Sequence, residues 1–259
     1  MGDDFTSINV HNLNYSIIEA GKERRILKDI NYSLKESAIT TISGPSGSGK
    51  TTFLYALSGI LDDCEGEVII NGQSIYQLAV NNRDTFRLNN MSFIFQNLNL
   101  LPFMNVFENI CLPFYLRKEK IDKYTRKKIS NFLEMVNLGQ IQNKSISSLS
   151  GGEQQRVAIV RAMISDSTII LCDEPTGSLD SENSHIFMEQ IAEINKSTSK
   201  KTIIIVTHNP EILKKGDDII MICDGMLVKH LSWWVISIQK LLDHDMLKSV
   251  KCCFPSVGH

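Results

Sequence analysis

Residues Gly44, Pro45, Ser46, Gly47, Ser48, Gly49, Lys50 and Thr51 follow the spacing G-x-x-x-x-G-K-[ST]. Glycines so placed let successive backbone N–H groups wrap phosphate oxygens, and a helix starting directly behind them aims the positive end of its dipole at the same charge. The chemistry is polyphosphate binding: Lys50 reaches the β- and γ-phosphates, Thr51 holds Mg²⁺, and Thr52 donates nearby. A glycine-rich turn with a chance lysine would lack the required setting, an apolar strand before and a helix after. Here Ala38 to Ser43 is such a strand, and a helix is expected from Gly49 to about Ser58.

Asp173 and Glu174 follow the apolar run IILC, which puts two carboxylates at the C-terminal end of a strand, where open α/β sheets bind ligands. Such a pair alone is more often a solvated loop or helix start. Beside a phosphate loop it divides labour: Asp173 positions the metal through water, and Glu174 polarises the attacking water as base.

The surrounding elements must hold these groups. Residues 5 to 35 read as short strands broken by a polar turn from Glu19 to Arg24, and GEVIINGQSIY reads as a hairpin turning at Asn71-Gly72. From Asn97 to Gln142 the apolar spacing becomes helical, giving a helical lobe. Thr168 to Cys172 and Lys201 to Val206 are short apolar runs, as buried parallel strands are. Asp218 to Cys223, the turn Asp224-Gly225 and Met226 to Lys229 form a closing hairpin.

The bulk numbers fit a globular chain: 259 residues, 42% hydrophobic, 22% charged. A net charge of -2 offers no general attraction to nucleic acid, and none is expected as a partner. Six cysteines without a C-x-x-C pair indicate neither a zinc site nor a disulfide framework and fit a reducing cytosol. The start MGDDFTSINV lacks the basic and apolar run of an export signal, and no segment reaches the ~20 apolar residues of a membrane span. A role in transport therefore requires a second polypeptide.

The stretch LSGGEQQR, Leu149 to Arg156, resembles one family specifically, the ATP-binding cassette (ABC) proteins. FIFQ ending in Gln96, CDEPTGSLD from Cys172 to Asp180, and Thr207-His208 stand around it in the family's order, over about residues 5 to 229. The resemblance implies an α/β fold, a P-loop NTPase of ABC type: a mostly parallel core sheet with an antiparallel β sub-lobe and a helical sub-lobe at about 97–160. Residues 1–229 would form the nucleotide-binding domain. It implies ATP and Mg²⁺ as cofactors, hydrolysis of ATP, and a homodimer in which Ser150, Gly151 and Gly152 bind the γ-phosphate held by the opposite subunit's loop. Gln96 would sense the γ-phosphate and Mg²⁺, His208 would contact the γ-phosphate and support the attacking water, and Asp180 would lie in a loop communicating across the dimer. An isolated histidine is by default structural; His208 is set apart by its place after the apolar strand KTIIIV. His11, His185, His230, His244 and His259 match no motif.

Within the family, FIFQNLNLLPFMNVFENICLP and EPTGSLD resemble the MacB/LolD/FtsE type of subunit. That implies a transmembrane permease subunit as partner, a position at the inner face of the cell membrane, and work in export or in lipoprotein or peptide release. The alternative is an FtsE-like regulatory ATPase signalling through its membrane partner. A soluble cassette of translation or repair fits less well, since there is one cassette and no cysteine pairing. Two departures stand out. Ser37-Ala38 replaces a common Gly-Glu. The adenine-stacking aromatic is assigned to Tyr15, whereas counting back without gaps from Leu27-Lys28 reaches Ile17. Relatives receive a helix of the membrane protein just after the Gln96 position, where Phe103 and Met104 are the expected exposed contacts.

Residues 230–259 extend past the resemblance. Leu231, Trp234, Val235, Ile238, Leu241, Leu242 and Met246 would share one face of an amphipathic helix. Docking on its own domain, a poorly ordered extension, and contact with the membrane surface or partner all remain open for it.

Overall fold

Side-chain alternation along the central strands decides the layering. The computed structural model describes residues 8–176, 187–193, 195 and 201–231. β1 (Ile8–Glu19) and β2 (Lys22–Leu34) form a long hairpin, followed by β3 (Ile39–Ser43), α1 (Lys50–Leu57), β4 (Glu65–Ile70), β5 (Gln73–Ser74), α2 (Val80–Asn90) and β6 (Met91–Ile94). Then come α3 (Val106–Leu116), α4 (Lys123–Met135), α5 (Gly151–Ile164), β7 (Ile169–Asp173), β8 (Thr202–Val206), a short helix Pro210–Leu213, β9 (Asp218–Cys223) and β10 (Met226–Leu231). One sheet is antiparallel, in the order β2-β1-β4-β5. The other runs β10-β9-β3-β8-β7-β6, parallel except for β10.

Both faces of the parallel sheet are covered, so its central strands are apolar over Ile169–Cys172 and Ile203–Val206. Ile169, Leu171, Ile204 and Val206 face a core shared with α1 and the antiparallel sheet, where Phe53, Leu54 and Leu57 pack. Ile170, Cys172, Ile203 and Ile205 face the opposite core, built from α3, α4 and α5 through Ile110, Phe132, Leu133, Val157 and Val160. The period of two thus splits each strand between two hydrophobic layers.

Local signals fix the helix starts. Asn105 and Ser150 each make a reciprocal capping box with the glutamate three residues on, Glu108 and Glu153, and Asp122 caps α4 through the Thr125 N–H. The hairpin departs from expectation. Its turn is the pair Ala20-Gly21 rather than Glu19 to Arg24, because two successive left-handed residues (φ 51 and 76) reverse the chain within the pairing of Glu19 with Lys22. Three elements were not anticipated: α2, β6 and the short helix Pro210–Leu213. β10 continues to Leu231, so the first residue of the expected tail helix ends a strand; the rest of that segment lies outside the described residues.

The loop between β6 and α3 is held from inside. Asn109 is fully buried; its Oδ1 accepts from the Leu101 N–H at 2.8 Å, and its Nδ2 donates to the carbonyls of Leu101, Met104 and Asn105 at 3.1, 3.3 and 3.0 Å. Arg161, on α5, donates to the carbonyls of Leu98 and Asn99, two successive left-handed residues. Asn109→Ala strips these partners at once, and unpaired buried polar groups cost about 1–3 kcal/mol each. A loss of about 2–3 kcal/mol is expected in denaturant unfolding; an unchanged midpoint would show that the loop is held elsewhere.

Candidate functional site

Because β3, β8, β7 and β6 run parallel as neighbours, their C-terminal ends share one edge of the sheet. At the end of β3 the chain passes through Gly44 at φ 148, where a Cβ would lie 2.0 Å from the Ile222 carbonyl oxygen of β9, a contact only glycine escapes. The loop then curls to Gly49, left-handed at φ 100, which starts α1. Lys50 Nζ donates to the carbonyls of Gly44 and Pro45 at 2.9 and 2.8 Å, so the loop's own backbone holds the ammonium. Burial lowers its pKa, while Glu174 and Asp173 oppose that shift through their charge.

Asp173 ends β7. Thr51 Oγ1 donates to its Oδ1 at 2.8 Å and the Tyr55 hydroxyl to its Oδ2 at 3.3 Å. Burial raises the carboxyl above the ordinary range; the Thr51 and Tyr55 hydrogen bonds oppose the rise, Glu174 adds to it, and Lys50 opposes it. Glu174 is left-handed at φ 45, and its N–H donates to the Val206 carbonyl at 2.9 Å. Its Oε2 lies 2.8 Å from His208 Nδ1, with side-chain exposures of 18% for the glutamate and 72% for the histidine. The pair therefore runs from the wall of the site to solvent.

Ile26, Ser46, Gly47, Gly49, Lys50, Thr51, Thr52 and Glu174 line a cavity of about 300 Å³. It fits a polyphosphate: a cationic loop, a helix start, and Ser48 Oγ buried with no hydrogen-bond partner among the described residues. It also fits a small hard cation. Thr51 Oγ1 and Asp173 Oδ1 offer oxygens 2.8 Å apart beside the phosphate loop, and Mg²⁺ takes oxygen ligands.

The other expected residues lie apart. Gln96 is exposed, two residues past β6 and beside the β7 end. Ser150, Gly151 and Gly152 do not line the cavity; Ser150 Oγ donates to Glu153 Oε2 at 2.9 Å. Tyr15 packs half-buried against the core under the antiparallel sheet, and Ile26, on the partner strand, is what lines the cavity from that side. Asp180 lies outside the described residues. Three contacts went unanticipated: Ile26 at the cavity, Tyr55 on Asp173, and Gln155, whose Nε2 donates to the Pro175 carbonyl at 2.7 Å. Tyr55 was legible in principle, four residues after Thr51 and so on the same helix face.

Residues 27–177 match the family model described as ABC transporter. The chain belongs to the ABC transporter family. This ABC chain is 34% identical to the lipoprotein-releasing system ATP-binding protein LolD of Coxiella burnetii over 220 residues, 85% of this chain and 94% of LolD. It is 37% identical over 224 residues to the ABC transporter ATP-binding protein YtrE of Bacillus subtilis, covering 85% and 96% of the two chains. Among solved structures it is similar to a dimeric post-hydrolysis state of the ATP-binding cassette MJ0796 bound to ADP and Pi, with TM-score 0.78 and 32% identity over 87% of this chain and 98% of that one. This ABC subunit is an ATPase, and its fold is that of an ABC cassette. Among its described residues no helix is long and apolar enough to cross a membrane.

Gly44→Ala drives a methyl into the β9 backbone. The variant of this ABC ATPase should lose about 1–3 kcal/mol of stability and bind fluorescent ATP more weakly. Wild-type melting and affinity together would refute the close-approach argument.

Proposed function

We propose that this ABC subunit acts as a homodimer that binds two ATP molecules between its copies and drives a separate transmembrane permease, lying at the inner face of the cell membrane. One observation carries the dimer: Ser150, Gly151 and Gly152 form a helix start away from the cavity lined by Lys50, Thr51 and Glu174. A helix start with free backbone N–H groups is an anion site, and its ligand would be the γ-phosphate on the opposite copy's loop.

Within one copy, Gly44, Pro45, Ser46, Gly47, Ser48, Gly49, Lys50, Thr51 and Thr52 cradle the phosphates, and Ile26 of β2, rather than Tyr15, offers the apolar surface beside them. Thr51, Asp173 and Gln96 would hold Mg²⁺, which when bound neutralises charge on the β- and γ-phosphates. Glu174 accepts the proton of the attacking water. His208, with Nδ1 2.8 Å from Glu174 Oε2, positions that carboxylate and contacts the γ-phosphate. Asp180 belongs to the loop that communicates across the dimer. The likeness to LolD supports lipoprotein release as the work performed.

The permease contact is assigned to the loop after Gln96. Phe103 is 79% exposed at its crest, while Met104 is only half-buried and Leu100 and Phe107 pack on the helical core, which narrows the expected contact to Phe103. Next to the loop lies a groove of about 390 Å³ lined by Phe93, Phe95, Leu112, Leu116 and Arg161.

Glu174→Gln keeps the shape and removes the proton acceptor. Turnover is expected to fall ~10²–10⁴-fold, with a dimer that persists with MgATP in size-exclusion chromatography. Wild-type hydrolysis by the variant would overturn the base assignment, and a monomer under those conditions the sandwich. Phe103→Glu should leave basal ATPase within about twofold, since a surface substitution shifts stability by only about 0.5 kcal/mol. The same substitution should abolish stimulation by the permease in vesicles; full stimulation would remove Phe103 from the contact.

A further inference from the structure

We propose that Tyr55 is a positioning residue for the divalent cation: its hydroxyl fixes the orientation of the Asp173 carboxylate. The inference rests on the reading above that Asp173 takes part in holding the cation.

A carboxylate's terminal torsion is broad and nearly two-fold, so packing alone does not set which oxygen faces where. Here both oxygens are tied. Thr51 Oγ1 lies 2.8 Å from Oδ1 and the Tyr55 hydroxyl 3.3 Å from Oδ2. The two donors stand four residues apart on α1, one turn above the other on the same face, so a single helix grips both ends of the carboxylate. Their duties differ. Thr51 is itself offered to the cation, and its hydroxyl can give its proton to Oδ1 while its lone pair faces the metal. Tyr55 has no such second task; its phenol reaches Asp173 from the next turn and holds Oδ2. Without it the carboxylate is tethered at one oxygen and swings about the Thr51 bond. Groups that orient a metal ligand through hydrogen bonds typically carry 10–100-fold in metal affinity. The 3.3 Å bond is long, which places Tyr55 below or at the bottom of that range.

Tyr55→Phe removes the hydroxyl and keeps the ring, so the folded chain can be compared directly with wild type. The affinity of a fluorescent, non-hydrolysable ATP analogue is measured by titration in Mg²⁺ and again in EDTA, for wild type, Tyr55→Phe and Asp173→Asn. The expected result is that Tyr55→Phe binds the analogue about 3- to 10-fold more weakly in Mg²⁺ and within twofold of wild type in EDTA. Equal weakening in both media makes Tyr55 a packing residue and overturns the proposal. A full Mg²⁺ advantage in Tyr55→Phe, with that advantage lost in Asp173→Asn, also overturns it. If Asp173→Asn itself keeps the full Mg²⁺ advantage, the reading of Asp173 as a cation residue fails, and the Tyr55 proposal with it.

Discussion

The hydrogen bond from the Glu174 N–H to the Val206 carbonyl, 2.9 Å long, is the last rung of the parallel ladder between β7 and β8, and the site is arranged around it. To make it, Glu174 takes a left-handed backbone at φ 45, a conformation that costs a non-glycine residue about 1–3 kcal/mol. Two adjacent carboxylates are thereby sent to different neighbours. Asp173, still in the strand, meets hydroxyls from α1; Glu174 meets His208 at the end of β8. A residue in ordinary strand geometry would have followed the pleat. The distinct environments of the pair come from the backbone as much as from the side chains.

Helix α5 does for the loops what the ladder does for the strand ends. It begins at the capping box of Ser150 and Glu153, then sends Gln155 to the Pro175 carbonyl behind Glu174 and Arg161 to the Leu98 and Asn99 carbonyls behind Gln96. Both contacts are with backbone, so they fix loop shape and leave loop side chains free to differ. Arg161 is 8% exposed, and burial lowers its pKa to about 10. A guanidinium kept there, at that desolvation cost, fits the geometry: its planar fork sends Nη1 and Nη2 to two successive carbonyls.

Legibility followed the physics of each signal. The phosphate loop was readable because the close approach at Gly44 demands glycine, and β7 and β8 because covering both faces of the sheet leaves unbroken apolar runs there. α2 was not, since VNNRDTFRLNN carries almost no apolar stripe. Its anchors are polar: Arg83 donates to the Leu61 carbonyl and Asp62 and lies over the Tyr76 ring, and Arg87 donates to the Gly59 carbonyl. β6 is a four-residue strand with a polar Ser92, whose hydroxyl is satisfied by Ser165 and Ser167, far off in sequence. Site residues that sit in motifs could be named in advance. Gln155 and Ile26 act through contacts that only the tertiary arrangement creates.

The loop locked by Asn109 has a mechanical consequence. Four hydrogen bonds from one buried amide make the segment beneath Phe103 behave as a stiff plate. A body seated on Phe103 freezes only that side chain's rotamers, since the loop's conformational entropy has already been surrendered on folding. Displacement delivered at the crest would pass into α3 through Asn109 and into α5 through Arg161. Flexibility there would have made a cushion, and this chain has built a lever arm.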